Sequence, residues 1–424
     1  MAYLRRTVDG ELDELLVDLP AISLDGAKGV GKTATASQRA STTIALDDAR
    51  QRQLLQADPG RLDRSAPPVL IDEWQRLPEV WDLVRRSVDA GASPGRYLLT
   101  GSATPRSAAP THSDAGRIAQ IRMRPLALAE RGLHPPSVSL AELLSGTHPR
   151  VDGHSPLGLP DYTEEILASG FPGIRPLPGR ARRAALDGYL AKIVTHDFPE
   201  QGYPVRRPDA LRAWLSAYAA ATATAAGYAA ILDAATPGDG DKPAKTTSFA
   251  YRDILTQLWL LDPLPGWIPS RSPFTRLQQA PKHHLADPAL AARLLGATCD
   301  SLLGGQDTTP AIVRDGTLLG ALFESLTALS VRVGAQASEA RVHHLRTRNG
   351  DHEVDLIVER ADHRVVALEV KLAASVEDRD VAHLHWLARQ LGTDLLDAVV
   401  VTTGEHAYRR NDGIAVVPLA LLGP

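Results

Sequence analysis

Gly26-Ala27-Lys28-Gly29-Val30-Gly31-Lys32-Thr33 fits the phosphate-loop pattern G-x-x-x-x-G-K-[ST] at every fixed position. That pattern commits the surrounding chain to a strand, a tight loop and a helix. Ala21-Ile22-Ser23-Leu24 before it reads as a short buried strand, and the segment from Thr33 to Ala40 has no breaker and can wind as a helix. The glycines let backbone N–H groups close around a polyphosphate, with the positive end of the helix behind them. In this setting Gly26, Ala27, Lys28, Gly29, Val30 and Gly31 form the cradle. Lys32 is placed to meet the β and γ phosphates and Thr33 to hold Mg²⁺, so ATP and Mg²⁺ are the expected ligands. A glycine-rich loop arising by chance is the plain alternative.

A second motif bears against that alternative. Pro68-Val69-Leu70-Ile71-Asp72-Glu73 is an apolar run ending in two carboxylates, and one more strand (Thr42–Leu46) lies between it and the phosphate loop. A buried strand of this kind delivers its acids to the phosphate site, Asp72 to Mg²⁺ through water and Glu73 as general base. A further strand from Arg96 to Thr100 ends in Gly101-Ser102, where the Ser102 hydroxyl can sense the γ-phosphate or simply make a turn. From about residue 20 to 130, strand and helix patterns alternate as in a doubly wound parallel sheet. Helix Glu79–Asp89 carries its apolar stripe at Val80, Leu83, Val84 and Val88.

A chain of 424 residues has room for two or three domains. A net charge of −4 gives no global electrostatic case for nucleic acid or membrane binding. The single cysteine, Cys299, cannot form an internal disulfide, which fits a reducing cytoplasm. The N-terminus is charged throughout and has no apolar signal-peptide core. One uncharged stretch, Ala213–Leu232, is long enough to cross a bilayer, but its Ala, Thr, Ser and Gly content favours a buried helix. A cytoplasmic location without a membrane partner is therefore expected.

Four segments follow from the composition. Residues 1–135 form the α/β nucleotide-binding unit, and 136–160, full of Pro, Gly, Ser and His, read as a linker or a peripheral excursion. Residues 161–300 are mainly helical, with runs at Ala181–His196 and Arg207–Leu232, a loop at Pro237–Pro243 and an amphipathic helix at Ser248–Leu261. Helix, connection, helix and an extended apolar segment are compatible with a winged-helix module, and equally with a helical lid or spacer. Lys242, Lys245, Arg252, Arg271 and Arg276 are the cations available there for a DNA- or protein-facing surface.

Residues 310–424 read as a separate α/β unit of order helix, three strands, helix, strand. Centring its hairpin on Asp362 sets Asp355 opposite Glu369, with Lys371 on the same face. With Glu324 from the leading helix, Asp355 and Glu369 can hold a divalent metal, and Lys371 can act on a water attacking phosphate. Alternating charges on an exposed sheet are the bland alternative.

The chain resembles a family of prokaryotic AAA-type ATPases with a long C-terminal domain of unknown function. The matching residues run nearly the whole length in order: Leu24–Thr33, Leu70–Gln75, Leu98–Ser102, Arg122–Glu130, Gly320–Glu324 and Glu353-Val-Asp355 with Glu369-Val-Lys371. The resemblance implies a P-loop ATPase, a winged-helix-like middle and a C-terminal domain with a restriction-endonuclease-like core. Arg117 matches a recurrent Gly-Arg that could serve as an arginine finger, a loop arginine being the plainer reading. Two features depart from the pattern: the helix after the phosphate loop lacks large aliphatics, and Pro, Gly and Asp are inserted near residue 240. The combined expectation is an ATPase, with room for oligomers, that couples nucleotide state to a module engaging nucleic acid or another partner. The alternative is a nucleotide-switched scaffold whose nuclease-like domain is inert.

Overall fold

A computed structural model describes residues 3–102, 116–236, 245–268, 280–304, 316–347 and 350–424. The expected loop at Pro237–Pro243 and the cations Lys242, Arg271 and Arg276 lie outside the described residues. Strands β1 (Ala21–Asp25), β2 (Thr42–Ala45), β3 (Val69–Asp72), β4 (Tyr97–Gly101) and β5 (Ala119–Arg122) form a five-stranded parallel sheet in the order β2-β3-β4-β1-β5. Each strand is short and apolar on both faces because helices cover both sides. Ile22, Leu24, Leu70 and Leu98 point to one face; Ala21, Val69, Ile71, Tyr97 and Leu99 point to the other, where Val80, Trp81 and Val84 of helix Glu79–Asp89 pack. The first face shares one continuous core with the helical region and one face of the C-terminal sheet, extending as far as Leu422. The helix after the phosphate loop is only Lys32–Ser37, as its small residues offer little to bury.

The segment 136–160 is not a linker. It contributes β6 (Val138–Ser139), the helix Leu140–Ser145 and β7 (Gly153–His154). Val138, Leu140, Leu143 and Leu144 are buried, and this apolar content overrides the Pro/Gly/Ser composition. Two strands from outside residues 310–424 join the C-terminal sheet: β7, and β8 (Gly266–Trp267). The remaining strands are β9 (Arg341–Arg346), β10 (Glu353–Glu359), β11 (Val365–Val370), β12 (Leu395–Thr402), β13 (His406–Arg409) and β14 (Ala415–Pro418). Their order is β7-β13-β14-β12-β11-β10-β9-β8, antiparallel through β9–β11 and parallel from β11 to β12 and β14. A last strand, β15 (Leu422–Gly423), pairs with β6.

In the middle region the run Arg207–Leu232 breaks into helices Pro208–Ala220 and Tyr228–Ala234. Ala223 between them is left-handed (φ 59°), and its N–H donates to the His283 carbonyl. Helix Lys245–Gln257 stops before Leu261, because Trp259 takes a left-handed φ of 61° and Leu261 bridges to Leu285. Among the described residues one helix, Thr317–Ala337, is long and apolar enough to cross a membrane. Leu319, Leu322, Phe323 and Leu326 bury it in the shared core.

Candidate functional site

The end of β1 runs straight into the phosphate loop, under the end of β5. A Cβ on Gly26 would lie 2.1 Å from the Met123 carbonyl oxygen, so only glycine fits there. Gly31, with φ 104°, begins helix Lys32–Ser37 from the left-handed region. The Lys32 side chain is buried, and its ammonium donates to the carbonyls of Gly26 (2.7 Å) and Ala27 (3.0 Å). Burial pulls its pKa down to about 8, against the opposing pull of Glu73, Asp25 and Asp72. Burial also raises Asp25, whose oxygen accepts from the Ser23 hydroxyl.

Thr33 Oγ1 donates to Asp72 Oδ1 at 2.7 Å, and Thr100 Oγ1 donates to the same oxygen. A hydroxyl and a carboxylate joined beside a buried lysine are hard oxygen donors that suit a hydrated Mg²⁺. Glu73 sits at a left-handed φ of 54° immediately after β3. Ser102 Oγ donates to its Oε1 (3.0 Å) and Gln75 Nε2 to its Oε2 (2.5 Å). Ser102 therefore acts first on Glu73. Arg117 stands elsewhere: it precedes β5, at the end of the strands away from the loop, and its Nε donates to Asp89 Oδ1 at 2.8 Å.

A cleft of 520 Å³ opens beside Glu73, lined by Lys28, Arg76 and Ser102 on one side and by Tyr189, Asp197, Glu200 and Leu258 on the other. The second wall belongs to the helical region. Tyr189 OH donates to the Lys28 carbonyl (3.1 Å), Lys28 Nζ lies 3.8 Å from Asp197, and Arg76 pairs with Glu200 at 2.8 Å. A π-helical turn, Ile193–Asp197, presents Asp197 to the cleft. Sequence reading missed this wall. Its one local signal is His196-Asp197-Phe198-Pro199-Glu200, acids flanking a proline at a helix end.

The C-terminal carboxylates form a second cluster. The β10–β11 ladder pairs Leu356 with Leu368, and its next step sets Asp355 against Glu369. Asp355 Oδ2 accepts the Val370 N–H, and Lys371 Nζ donates to Glu369 Oε1, each at 2.9 Å. A residue that no motif singled out sits in the middle. Lys282 Nζ lies 2.9 Å from Glu324, 3.0 Å from Glu353 and 2.9 Å from Asp355. Burial opposes the charge on Asp355, but the Lys282 ammonium outweighs it and holds the carboxyl below its usual range. Glu324 and Glu369 are each pushed up to about 8, first by burial and then by Asp355. On the helical region Lys245 is exposed, whereas Arg252 stacks on Tyr228 (5.2 Å) and Phe249 (5.3 Å) and pairs with Asp253.

Residues 18–131 match the model of an AAA domain, residues 159–301 a domain of unknown function (DUF8612) and residues 319–422 another (DUF4143). The first stretch is thus a P-loop AAA-type ATPase domain, in keeping with its parallel sheet. The chain is 25% identical over 432 residues to the uncharacterized proteins Rv2008c of Mycobacterium tuberculosis and Mb2031c of Mycobacterium bovis, covering 98% of this chain and 83% of each. Among solved structures it is similar to the Walker-type ATPase PABY2304 of Pyrococcus abyssi (TM-score 0.40, 17% identity, 68% of this chain and 94% of that one). It is also similar to the ORC2 protein of Aeropyrum pernix in its ADPNP–ADP complexes (TM-score 0.28, 17% identity, 68% and 90%).

Proposed function

We propose that the chain is a cytoplasmic, Mg²⁺-dependent ATPase whose nucleotide state is passed through the helical region to a partner-engaging C-terminal module. The observation that carries this reading is the join of Thr33 to Asp72, with Glu73 held beside it by Ser102 and Gln75. Lys32 exchanges its two carbonyl partners for phosphate oxygens, which answer its charge more fully. Glu73 takes the proton of the attacking water, and its two hydrogen-bond donors keep the carboxylate aimed. Thr33 and Asp72 are the residues that would hold Mg²⁺, which would supply positive charge against the phosphates. Asp197 and Glu200, themselves on the helical region, wall the cleft on the far side, which supports them as the route by which its contents would reach that region. Nucleic acid or another protein is the partner class proposed for the outer surface, and Lys245 is its exposed cation on helix Lys245–Gln257.

Two variants test the reading. Lys32→Ala abolishes ATP binding by calorimetry, and an affinity equal to wild type would overturn the site. Glu73→Gln retains ATP and loses turnover by about 100-fold or more, since it removes the base and leaves the metal ligands. A second reading, a nucleotide-switched scaffold with an inert nuclease-like domain, is favoured by one observation: Lys282 engages the carboxylates that metal-dependent cleavage would need.

A further inference from the structure

The C-terminal carboxylates come from three elements. Glu324 lies on helix Gly316–Ala337, Glu353 and Asp355 on one face of β10, and Glu369 on β11. Isolated acids gathered this way repel one another unless a cation stands among them. Here that cation is part of the chain. Lys282 is 2% exposed, yet its ammonium contacts three carboxylates at 2.9–3.0 Å. It is held by backbone as well: Lys282 N–H donates to the Leu264 carbonyl (2.9 Å), and Leu264 N–H donates back (2.8 Å). The other basic groups at the cluster are peripheral. Lys371 donates to Glu369 from one side, and Arg346 lies 3.8 Å from Glu353.

One group is left over. Glu369 is 7% exposed, and while its Oε1 accepts from Lys371, its buried Oε2 has no hydrogen-bond partner among the described residues. A buried carboxylate oxygen without a donor costs free energy that a cation would recover. Four carboxylates also outnumber the two lysine ammoniums that face them. The donor set is all-oxygen and anionic, the type that selects a hard divalent cation over a soft one. The oxygens are spread around an N–H donor, about 0.9 Å further out than Mg²⁺ would draw them.

We infer that Glu324, Glu353, Asp355 and Glu369 make a latent divalent-cation site in which Lys282 is the resident cation, so that a metal enters only when Lys282 leaves. Lys282 belongs to the stretch 159–301, the same stretch that walls the ATP cleft. The block on the C-terminal site is therefore carried by the neighbouring region, not by the sheet that holds the acids. The inference does not depend on ATP turnover.

The test uses the full chain without nucleotide and Mn²⁺ as the probe, read by electron paramagnetic resonance and by thermal melting. The wild-type chain shows no Mn²⁺ binding that Asp355→Asn removes. Lys282→Ala gains one Mn²⁺ per chain, bound at least about tenfold more tightly than by wild type, melts higher with Mn²⁺, and loses both effects when Asp355→Asn is added. Should Lys282→Ala not fold, Lys282→Ala with Glu353→Gln removes one negative charge along with the ammonium and carries the same measurement. A wild-type chain that binds Mn²⁺ through Asp355 as tightly as the variant overturns the block. A folded variant that gains no Mn²⁺ overturns the latent site and leaves an internal ion-pair cluster.

Discussion

Lys32 shows how one side chain can be legible by type and still hold a surprise in its environment. The motif assigns it to phosphate, and the glycines that make the loop also bury the ammonium against two carbonyls. Its pKa of about 8 makes its charge sensitive to pH near neutrality. Phosphate binding needs the protonated form, so ATP affinity should hold below pH 8 and fall as pH rises above it, by up to about tenfold per unit. Calorimetry between pH 7 and 9.5 checks this; a flat profile would mean that the ammonium stays charged throughout. The sign for stability is opposite. Because the folded pKa lies below the unfolded one, the burial cost is fully present below pH 8 and relaxes as pH rises toward the ordinary lysine value. Glu73 adds a backbone feature that no side-chain pattern reveals, a left-handed φ in a non-glycine residue at the C-terminal end of β3.

Among the elements, the short ones matter beyond their length. Helix Leu140–Ser145 starts at Ser139, whose hydroxyl accepts the Glu142 N–H, and it buries Leu140, Leu143 and Leu144 between β12 and helix Gly316–Ala337. Leu143 is fully buried, so Leu143→Ala should cost about 2–5 kcal/mol in urea unfolding. A change below about 0.5 kcal/mol would show that this helix is not part of the C-terminal core. The same packing predicts the fate of residues 310–424 expressed alone. Without β7 and β8 both edges of the sheet are bare, and without β6 the last strand has no partner. Such a fragment should aggregate or unfold non-cooperatively, whereas a chain beginning near residue 136 that keeps 266–267 should melt in one transition. Sequence pattern found β9 to β12 because each is long enough to show an apolar alternation or run. Two-residue strands such as β7 and β8 carry no period, so only their pairing partners reveal them.

At the scale of the whole molecule, three stretches meet at Asp262. Arg122 at the end of β5 (2.9 Å), Arg124 (2.8 Å) and Arg332 of helix Gly316–Ala337 (2.8 Å) all close on this one buried carboxylate. Arg332 also donates to the carbonyls of Asp262 and Pro263. Arg6 continues the chain of contacts to the phosphate loop, donating to the carbonyls of Val30 and Arg124. Asp262→Asn would leave three guanidiniums crowded without an anion and should destabilise the chain by about 3–5 kcal/mol. Burial works against the Asp262 charge, but the three arginines outweigh it and hold the carboxyl far below its usual range. Its contribution is therefore present above the unfolded pKa of about 4 and lost as pH falls through the folded value. Urea unfolding at pH 7, 5 and 3 should show the gap between wild type and Asp262→Asn constant at the first two and smaller at the third. An equal gap at all three would place the stabilisation in packing rather than charge.

The sequence by itself determined the strand–loop–helix around Lys32, the parallel α/β sheet that carries it and the hairpin register that faces Asp355 with Glu369. These are local: each follows from residues a few positions apart, through glycine conformation, apolar runs or the two-residue period of a strand. What brings Lys282 among the C-terminal acids, Asp197 to the cleft beside Glu73 and three arginines to Asp262 is long-range packing. Lys282, Asp197 and Asp262 each lie in a stretch with no chemical motif of its own. Their partners lie on elements joined to them only through the shared core, whose burial decides which surfaces meet. A charged side chain reads alike in sequence whether it ends in water or beside three carboxylates, and only the tertiary structure tells the two apart.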